Sequence, residues 1–440
     1  MNLAKSLVLY ILRVSARIQL WKIRPVVIGI GGSSGKTSTA KFIETILSEK
    51  HGVLATAGKN SETGIPLSIL GIKISNYSFA DWLKVLLLIP LRILADFKKY
   101  DFLVAEMGID SPKPPKNMGY LLRIIKPEIG ALTSIDYEHS VYFEPFVENK
   151  KRFEEEILDL IAREETLLLK SLPRDGWAVV NMDDPEILKA SKDLRASQVT
   201  VSSENKDADF FLENVEIHKD RFIIEFTNKE KQFVLKIKQP LPLYFAHSFV
   251  LSIAVCSVLG VDVSEAIRTL EDKFSLPPGR ASVFNGIRNM TIIDSSYNSS
   301  FEAASGVLGL LKEVGKDQRK IVILGDMREL GKMSGILHEK LAEEISKNSD
   351  FAILIGPQMK KFTSVKLKKI DFPHRSFETY SAAKDFILNH VKEGDVILVK
   401  SSQNTLFLER VVADLLKDKD DVRLLARRGA FWDNLRQKTP

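Results

Sequence analysis

The sequence predicts an α/β protein built on two doubly wound, mostly parallel sheets, on the strength of three observations. From Pro25 onward short apolar runs alternate with amphipathic stretches; a glycine-rich turn, "GIGGSSGKTST" from Gly29, directly overlaps the end of the first run; and the alternation starts afresh after Pro277, Pro278 and Gly279. Strands buried on both faces read as unbroken apolar runs, and when they lie parallel, helices must connect them.

Taken in order, residues 1–24 form an amphipathic helix, with Lys5, Arg13, Arg17, Lys22 and Arg24 set among apolar positions. Residues 25–275 form the central domain. Its strands are "PVVIGI", "DFLVAEMG", "EIGALTSI" and "GWAVVNMDD", and "STAKFIETILSEK" is the helix after the turn. The stretch from Asp207 to Gln239 reads as three short strands with polar turns, a small antiparallel elaboration of the same domain. "LPLYFAHSFVLSIAVCSVLGV" then reads as a mostly apolar helix. Residues 276–440 form a second, Rossmann-like α/β domain, with "MTIIDSS", "KIVILGDM", "FAILIGP" and "DVILVKSS" as strands.

Composition narrows the class. The chain has 440 residues, 45% of them hydrophobic, enough for two or three domain cores. Its single cysteine, Cys256, lies in an apolar segment; it excludes an internal disulfide and a cysteine-rich metal site, as expected in a reducing compartment. The net charge of +6 comes with no basic run interleaved with aromatics, so nucleic acid is not an expected partner, whereas anionic small molecules are. No apolar stretch reaches the roughly 18 residues of a membrane span, and the N-terminus has no small-residue cleavage site. A cytoplasmic monomer is the expectation. Two basic amphipathic segments, residues 1–24 and "FADWLKVLLLIPLRILADFKK", are either docked on the body of the protein or laid on an anionic membrane surface.

The glycine turn departs from the strict Walker spacing, since Ile30 stands where a glycine is required. Its physics is retained. Gly29, Gly31, Gly32 and Gly35 permit a tight turn whose N–H groups point inward, and a helix beginning near Lys36 adds its positive end. This predicts a P-loop-type site in which Gly32, Ser33, Ser34, Gly35, Lys36, Thr37 and Ser38 cradle the phosphates of a nucleotide. Lys36 would reach the terminal phosphates and the Thr37 hydroxyl would ligate Mg2+.

Further along, "GKNSETGIPLSIL" from Gly58, "VAEMGID", "SIDYEH" ending at His139, "VVNMDDP", "LPPGR", "IIDSSYNSS", "VILGDMRELG", "ILVKSS" and "LLARRGAFWDNL" occur in an order that resembles the Mur ligases, ATP-dependent amide-bond-forming enzymes of peptidoglycan precursor synthesis. "GDMRELG" followed by His338 is most similar to the subgroup that adds D-alanyl-D-alanine to UDP-N-acetylmuramoyl-tripeptide. The resemblance implies ATP and Mg2+ as cofactors, an acyl-phosphate intermediate, and a nucleotide-linked muropeptide and D-alanyl-D-alanine as substrates. It implies Lys36 as phosphate clamp, Glu106 and His139 as metal-site residues, and Arg280 as the γ-phosphate contact. It implies Asp294 on the nucleotide ribose with Tyr297 and Asn298 beside the nucleotide, and a site completed when the two domains close. Asn60, Glu62 and Gly64 match the segment lining the substrate side. Asp326, Glu329, His338, Lys400 and Ser402 match positions near the incoming amine.

Departures from the family pattern are equally specific. Most members hold a second magnesium through a carbamylated lysine after the histidine; here two alignments place Glu154 or Glu165 at that position, and Glu165 needs no gap. Modification of Lys150 or Lys151, or loss of the second metal, are the alternatives. The asparagines of the adenine pattern "HNxxN" are replaced, with His247, Ser248 and Leu251 in the segment, and Ser295 stands for a second aspartate. The family carries, before the glycine turn, a domain that recognises the UDP end of the substrate, where this sequence has about one helix. A related ligase with another acceptor (folylpolyglutamate-like, cyanophycin-like or lipid-linked) and a nucleotide-binding scaffold with weakened catalysis are therefore the competing functions.

Overall fold

The computed structural model describes residues 3–56, 58–74, 78–95, 98–229, 231–402 and 406–437. Its first sheet is assembled from β1 (Val26–Gly31), β2 (Val53–Ala55), β3 (Phe102–Glu106), β4 (Ile129–Leu132), β5 (Trp177–Asn181), β6 (Ser197–Ser202), β7 (Phe210–Ile217), β8 (Phe222–Asn228) and β9 (Lys231–Ile237). The order across the sheet is β2-β3-β1-β4-β5-β6-β7-β8-β9, parallel as far as β7 and antiparallel beyond it. The three strands read between Asp207 and Gln239 thus extend the same sheet.

Alternate side chains of the buried strands feed two cores. Ile28 and Ile30 of β1 join Val104 and the α-helix Phe245–Ser257 on one face, while Val27, Leu103 and Ala105 join the helix Phe153–Lys170 on the other. Two covered faces explain why these strands are apolar at successive positions.

A second sheet follows the proline-glycine break. It comprises β10 (Ser282–Asn285), β11 (Thr291–Ser295), β12 (Lys320–Gly325), β13 (Phe351–Ile355), β14 (His374–Phe377) and β15 (Val396–Lys400), in the order β10-β11-β15-β12-β13-β14, with β10 antiparallel and the rest parallel. The short strands β2, β10 and β14, and the polar β6, are not among the strands read from the sequence. Edge strands of three or four residues, and a strand such as "SQVTVS" whose first half is exposed, carry too little apolar pattern to stand out.

Among the helices, α1 (Leu3–Ile23), α2 (Lys36–Leu47), α3 (Gly64–Ile69) and α4 (Phe79–Ala95) matter most below. Helix α1 is docked: Leu9, Leu12, Ala16 and Ile23 are buried, and Leu12 packs with Leu67 and Leu70 beside Val85 and Ile89 of α4. Among the described residues, no helix is long and apolar enough to cross a membrane.

Candidate active site

Strand order decides where a ligand can sit. β1 has β3 on one side and β4 on the other, so the chain leaves β1 in opposite directions and a crevice opens at its carboxyl end, where the glycine turn lies. Only glycine fits at position 32: φ is 113°, and a Cβ there would lie 2.4 Å from Thr133 Oγ1. Gly35 (φ 87°) turns the chain into α2, whose first turn has no side-chain cap, leaving its positive end toward the crevice. Ser33 to Ser38 line a cavity of about 560 Å³ bounded by both sheets' loops.

Lys36 is folded back over the turn, donating to the carbonyls of Gly32 and Ser33 (2.7 Å for Ser33) and approaching Glu138 at 3.5 Å. Burial alone would lower its pKa; the charges of Glu138, Glu165 and Glu106 outweigh that and raise it. Lys36 is thus held as a cation inside the cavity. Register pairs Ile30 with Glu106, which places this carboxylate beside the turn. Glu106 Oε1 accepts from the Thr37 hydroxyl at 2.9 Å and from Asn60 Nδ2 at 3.3 Å, and Oε2 accepts from Gly58 N–H at 3.0 Å.

The second sheet supplies the opposite wall. Arg280 donates to Thr37 Oγ1 at 3.3 Å, its guanidinium lying over the Tyr297 ring at 4.9 Å. Asn298 donates to Glu138 at 3.3 Å, and Ser34 meets Ser300 at 3.1 Å. Lys400 lines the cavity and donates to the carbonyl of Asn298 at 2.8 Å; burial, helped by Arg280, pushes its pKa down to about 7. Arg280, Tyr297, Asn298, Lys36, Thr37, Glu106, Asn60 and Lys400 are therefore brought together.

His139 lines the same cavity as Thr37 and Glu106, with its ring nitrogens engaged by neighbouring carboxylates. Its Nδ1 lies 2.6 Å from Glu329 Oε2 and its Nε2 lies 3.6 Å from Asp110, both His139 (φ 62°) and Glu329 (φ 61°) being held in the left-handed region. Burial disfavours its protonation, but the bond to Glu329 and the charges of Glu138 and Asp110 prevail and its pKa is raised. With Ser140 donating to the Leu330 carbonyl at 3.0 Å, this forms a clasp between the two domains. Ser402 lies in a small recess beside the clasp with Glu138, His139 and Arg328.

Asp294, expected on a ribose, is fully buried and absent from the cavity wall. The pleat of β11 turns Ser295 toward the cavity and Asp294 away from it, where Oδ1 accepts from Ser296 N–H at 3.0 Å and burial pushes the pKa up to about 6. Asp326 and His338, expected near the amine, lie behind the wall. Asp326 accepts from the N–H groups of Met359 and Gln358, and His338 Nε2 accepts from Met327 N–H at 3.2 Å, its pKa pushed down to about 4 by burial. Glu62 is buried and likewise off the wall.

Of the two candidates for the second-metal position, Glu165 is the one beside the turn, but it lies behind it, fully buried, with Oε2 accepting from Gly32 N–H at 2.9 Å. Burial raises its pKa to about 7 against the opposing pull of Lys36. Lys150 and Lys151 are exposed. Among the described residues no three His, Cys, Asp or Glu side chains converge as a metal-binding group. Glu165→Ala leaves the buried Gly32 N–H without its acceptor, a loss of about 1–3 kcal/mol. The expected result is a lower Tm together with weaker ATP binding; unchanged nucleotide affinity would show that the carboxylate does not hold the turn.

Three cavity residues escape the sequence reading. Glu138 joins Lys36 to Asn298; its only signal is its place before His139. Asp183 accepts from His247, the histidine of the segment compared with "HNxxN", at 2.7 Å. Burial would raise its pKa, but bonds from His247, Ser202 and Ser203 hold it well below the usual carboxylate range. Glu302, at the start of the helix Phe301–Val314, has its pKa pushed up to about 8 by burial and by Asp136 and Asp184. The folded state then keeps a proton that the unfolded chain releases near 4.5, so this group's contribution to stability falls as pH rises from about 4.5 to 8. Glu302→Gln is expected to raise Tm by a few degrees at pH 8.5 and by less at pH 5; an equal shift at both would refute a protonated Glu302.

Comparison with known proteins gives a concordant answer. Residues 30–242 match the Mur ligase middle domain and residues 279–403 the Mur ligase glutamate ligase domain. A UDP-N-acetylmuramoyl-tripeptide--D-alanyl-D-alanine ligase from Buchnera aphidicola subsp. Baizongia pistaciae is 23% identical over 397 residues, 89% of this chain and 75% of the relative. Among solved structures, MurF from Acinetobacter baumannii superposes with a TM-score of 0.73 at 20% identity, covering 92% of this chain and 79% of that one. The MurF ligase from Thermotoga maritima in complex with ADP does so at 0.71 and 24%, covering 98% and 85%. A glycine turn and an arginine from separate sheets facing one cavity, on a chain whose two sheets match these two domains in order, mean that the protein belongs to the Mur ligase family.

Proposed function

We propose that the protein is an ATP-dependent, ADP-forming carboxylate–amine ligase that adds D-alanyl-D-alanine to a UDP-N-acetylmuramoyl-tripeptide in the cytoplasm. The carrying observation is the 3.3 Å contact of Arg280 with Thr37, which brings a second-domain cation onto the phosphate turn. Support for the substrates comes from the curated relative named for that reaction.

The chemistry asks for several anions in one place: a substrate carboxylate attacks the γ-phosphate, and an amine then displaces phosphate from the acyl phosphate. The α2 N-terminus and Lys36 answer the charge from one side and Arg280 from the other. Thr37 and Glu106, hard oxygen donors 2.9 Å apart on the cavity wall, suit a magnesium ion, which would neutralise phosphate charge there. Lys36, now on the Gly32 and Ser33 carbonyls, exchanges those acceptors for phosphate oxygens at little cost in position. Asn60 orients Glu106, and the His139–Glu329 clasp holds Arg280 over the turn by keeping the domains together.

The test is incubation with ATP, magnesium, UDP-N-acetylmuramoyl-tripeptide and a panel of amines, with products identified by mass. ADP and a pentapeptide product formed only with D-alanyl-D-alanine are the expected outcome. ADP release driven by a different amine would assign another acceptor–donor pair, and ATP binding without ADP formation for any pair would leave a nucleotide-binding scaffold.

A further inference from the structure

Helices α1 and α4 present an apolar surface that the ligase site does not use. On α1, Leu3, Leu7, Tyr10, Val14, Ile18 and Trp21 recur every three or four residues and are exposed, Trp21 by 71%. On α4, Phe79, Leu83, Leu87, Leu91 and Leu94 do the same, Leu87 by 67%. The opposite sides of both helices are buried in the protein, so each stripe faces outward. Val8, Ile11, Trp82, Leu86 and Ile93 pack in the cluster that joins the helices, and Lys22 Nζ donates to the Ile93 carbonyl at 2.7 Å, so the two stripes lie side by side on one unit. Scattered exposed apolar residues are ordinary; eleven in two adjoining stripes are not.

Charge identifies the occupant. Residues 1–24 hold five basic residues and no acidic one, and residues 78–99 hold four basic and two acidic, so these segments together carry +7 of a chain whose net charge is +6, the remainder being −1. Arg13, Arg17 and Arg24 follow the outer edge of the α1 stripe, and Lys84 adjoins that of α4. We propose that this face docks on an anionic lipid bilayer, both helices lying in the interface plane with their apolar stripes at the acyl boundary and their basic side chains at the phosphates. Trp21, Tyr10 and Phe79 are the side chains such an interface favours. A second copy of the chain fits less well, because a two-fold contact through this face would set one basic rim against another.

The experiment is flotation of the full-length protein with phosphatidylcholine–phosphatidylglycerol vesicles and with phosphatidylcholine vesicles, at low and high salt. Binding to the anionic vesicles alone, weakened by salt, is expected. Trp21→Ser combined with Leu87→Ser, both at exposed positions, should lower partitioning about tenfold with the circular dichroism unchanged, and Arg17→Glu with Lys84→Glu should do likewise. Quenching of the unsubstituted protein's tryptophan fluorescence by brominated-acyl lipid, lost in Trp21→Phe, reads the same contact without any destabilising change. Absence of binding to anionic vesicles, or equal binding by the Ser variants, overturns the proposal. So does lipid-free self-association that the Ser variants abolish, since a second copy would then cover the face.

Discussion

Lys36→Ala is expected to lower ATP-dependent ADP formation about a thousandfold or more, measured as steady-state ADP release at saturating substrates. The side chain is the cation of the glycine turn, kept charged inside the cavity by Glu138, Glu165 and Glu106. On the proposed function, its removal takes away the charge that would meet the γ-phosphate and leaves three carboxylates without their common counterion, so that bound triphosphate would be repelled as well as unassisted. Lys36→Arg should recover little, because the planar guanidinium is bulkier than the ammonium that now fits between the Gly32 and Ser33 carbonyls. Turnover within tenfold of the parent would mean that the phosphate is clamped elsewhere.

Arg280→Ala should cost about 10²- to 10³-fold in kcat with a smaller change in the KM for ATP. Arg280 reaches Thr37 from the second domain, and the face of Tyr297 sets its direction. An interaction assembled by domain closure is made most fully when the phosphoryl group is transferred, which is why the loss is expected in kcat. Arg280→Lys keeps the charge without the fork or the flat contact with the ring and should recover only part of the rate. Equal losses in ATP affinity and turnover would instead make Arg280 a ground-state binding residue.

Much of this molecule was legible before folding was considered. The apolar runs that became β1, β3, β4 and β5 are continuous because both faces of each strand are covered, and Gly32 and Gly35 announce a turn whose φ values a side chain would strain. Lys36 and Thr37 could be assigned together because a strand-turn-helix unit fixes their relative positions over short range, whereas Glu106 followed from the family resemblance and reaches the turn only through the pairing of β1 with β3.

Asp294, Asp326, His338 and Glu165 were not decided in that way. Motif order places them near the site, but the pleat of β11, the caps of buried loops and the helix Phe153–Lys170 turn their carboxylates and imidazole toward backbone N–H groups. A buried polar atom must find a partner, and which partner is nearest depends on packing between segments far apart in the chain. Glu138 and Glu302 gained their place in the cavity, and the His139–Glu329 clasp arose, only when the second domain came against the first. By itself, then, the amino-acid order determined the two α/β sheets and the phosphate turn, through periodicity and glycine stereochemistry that act locally. Tertiary structure alone decided which charged groups share the cavity and which serve the scaffold, because Coulomb energy and hydrogen bonding depend on distance in space.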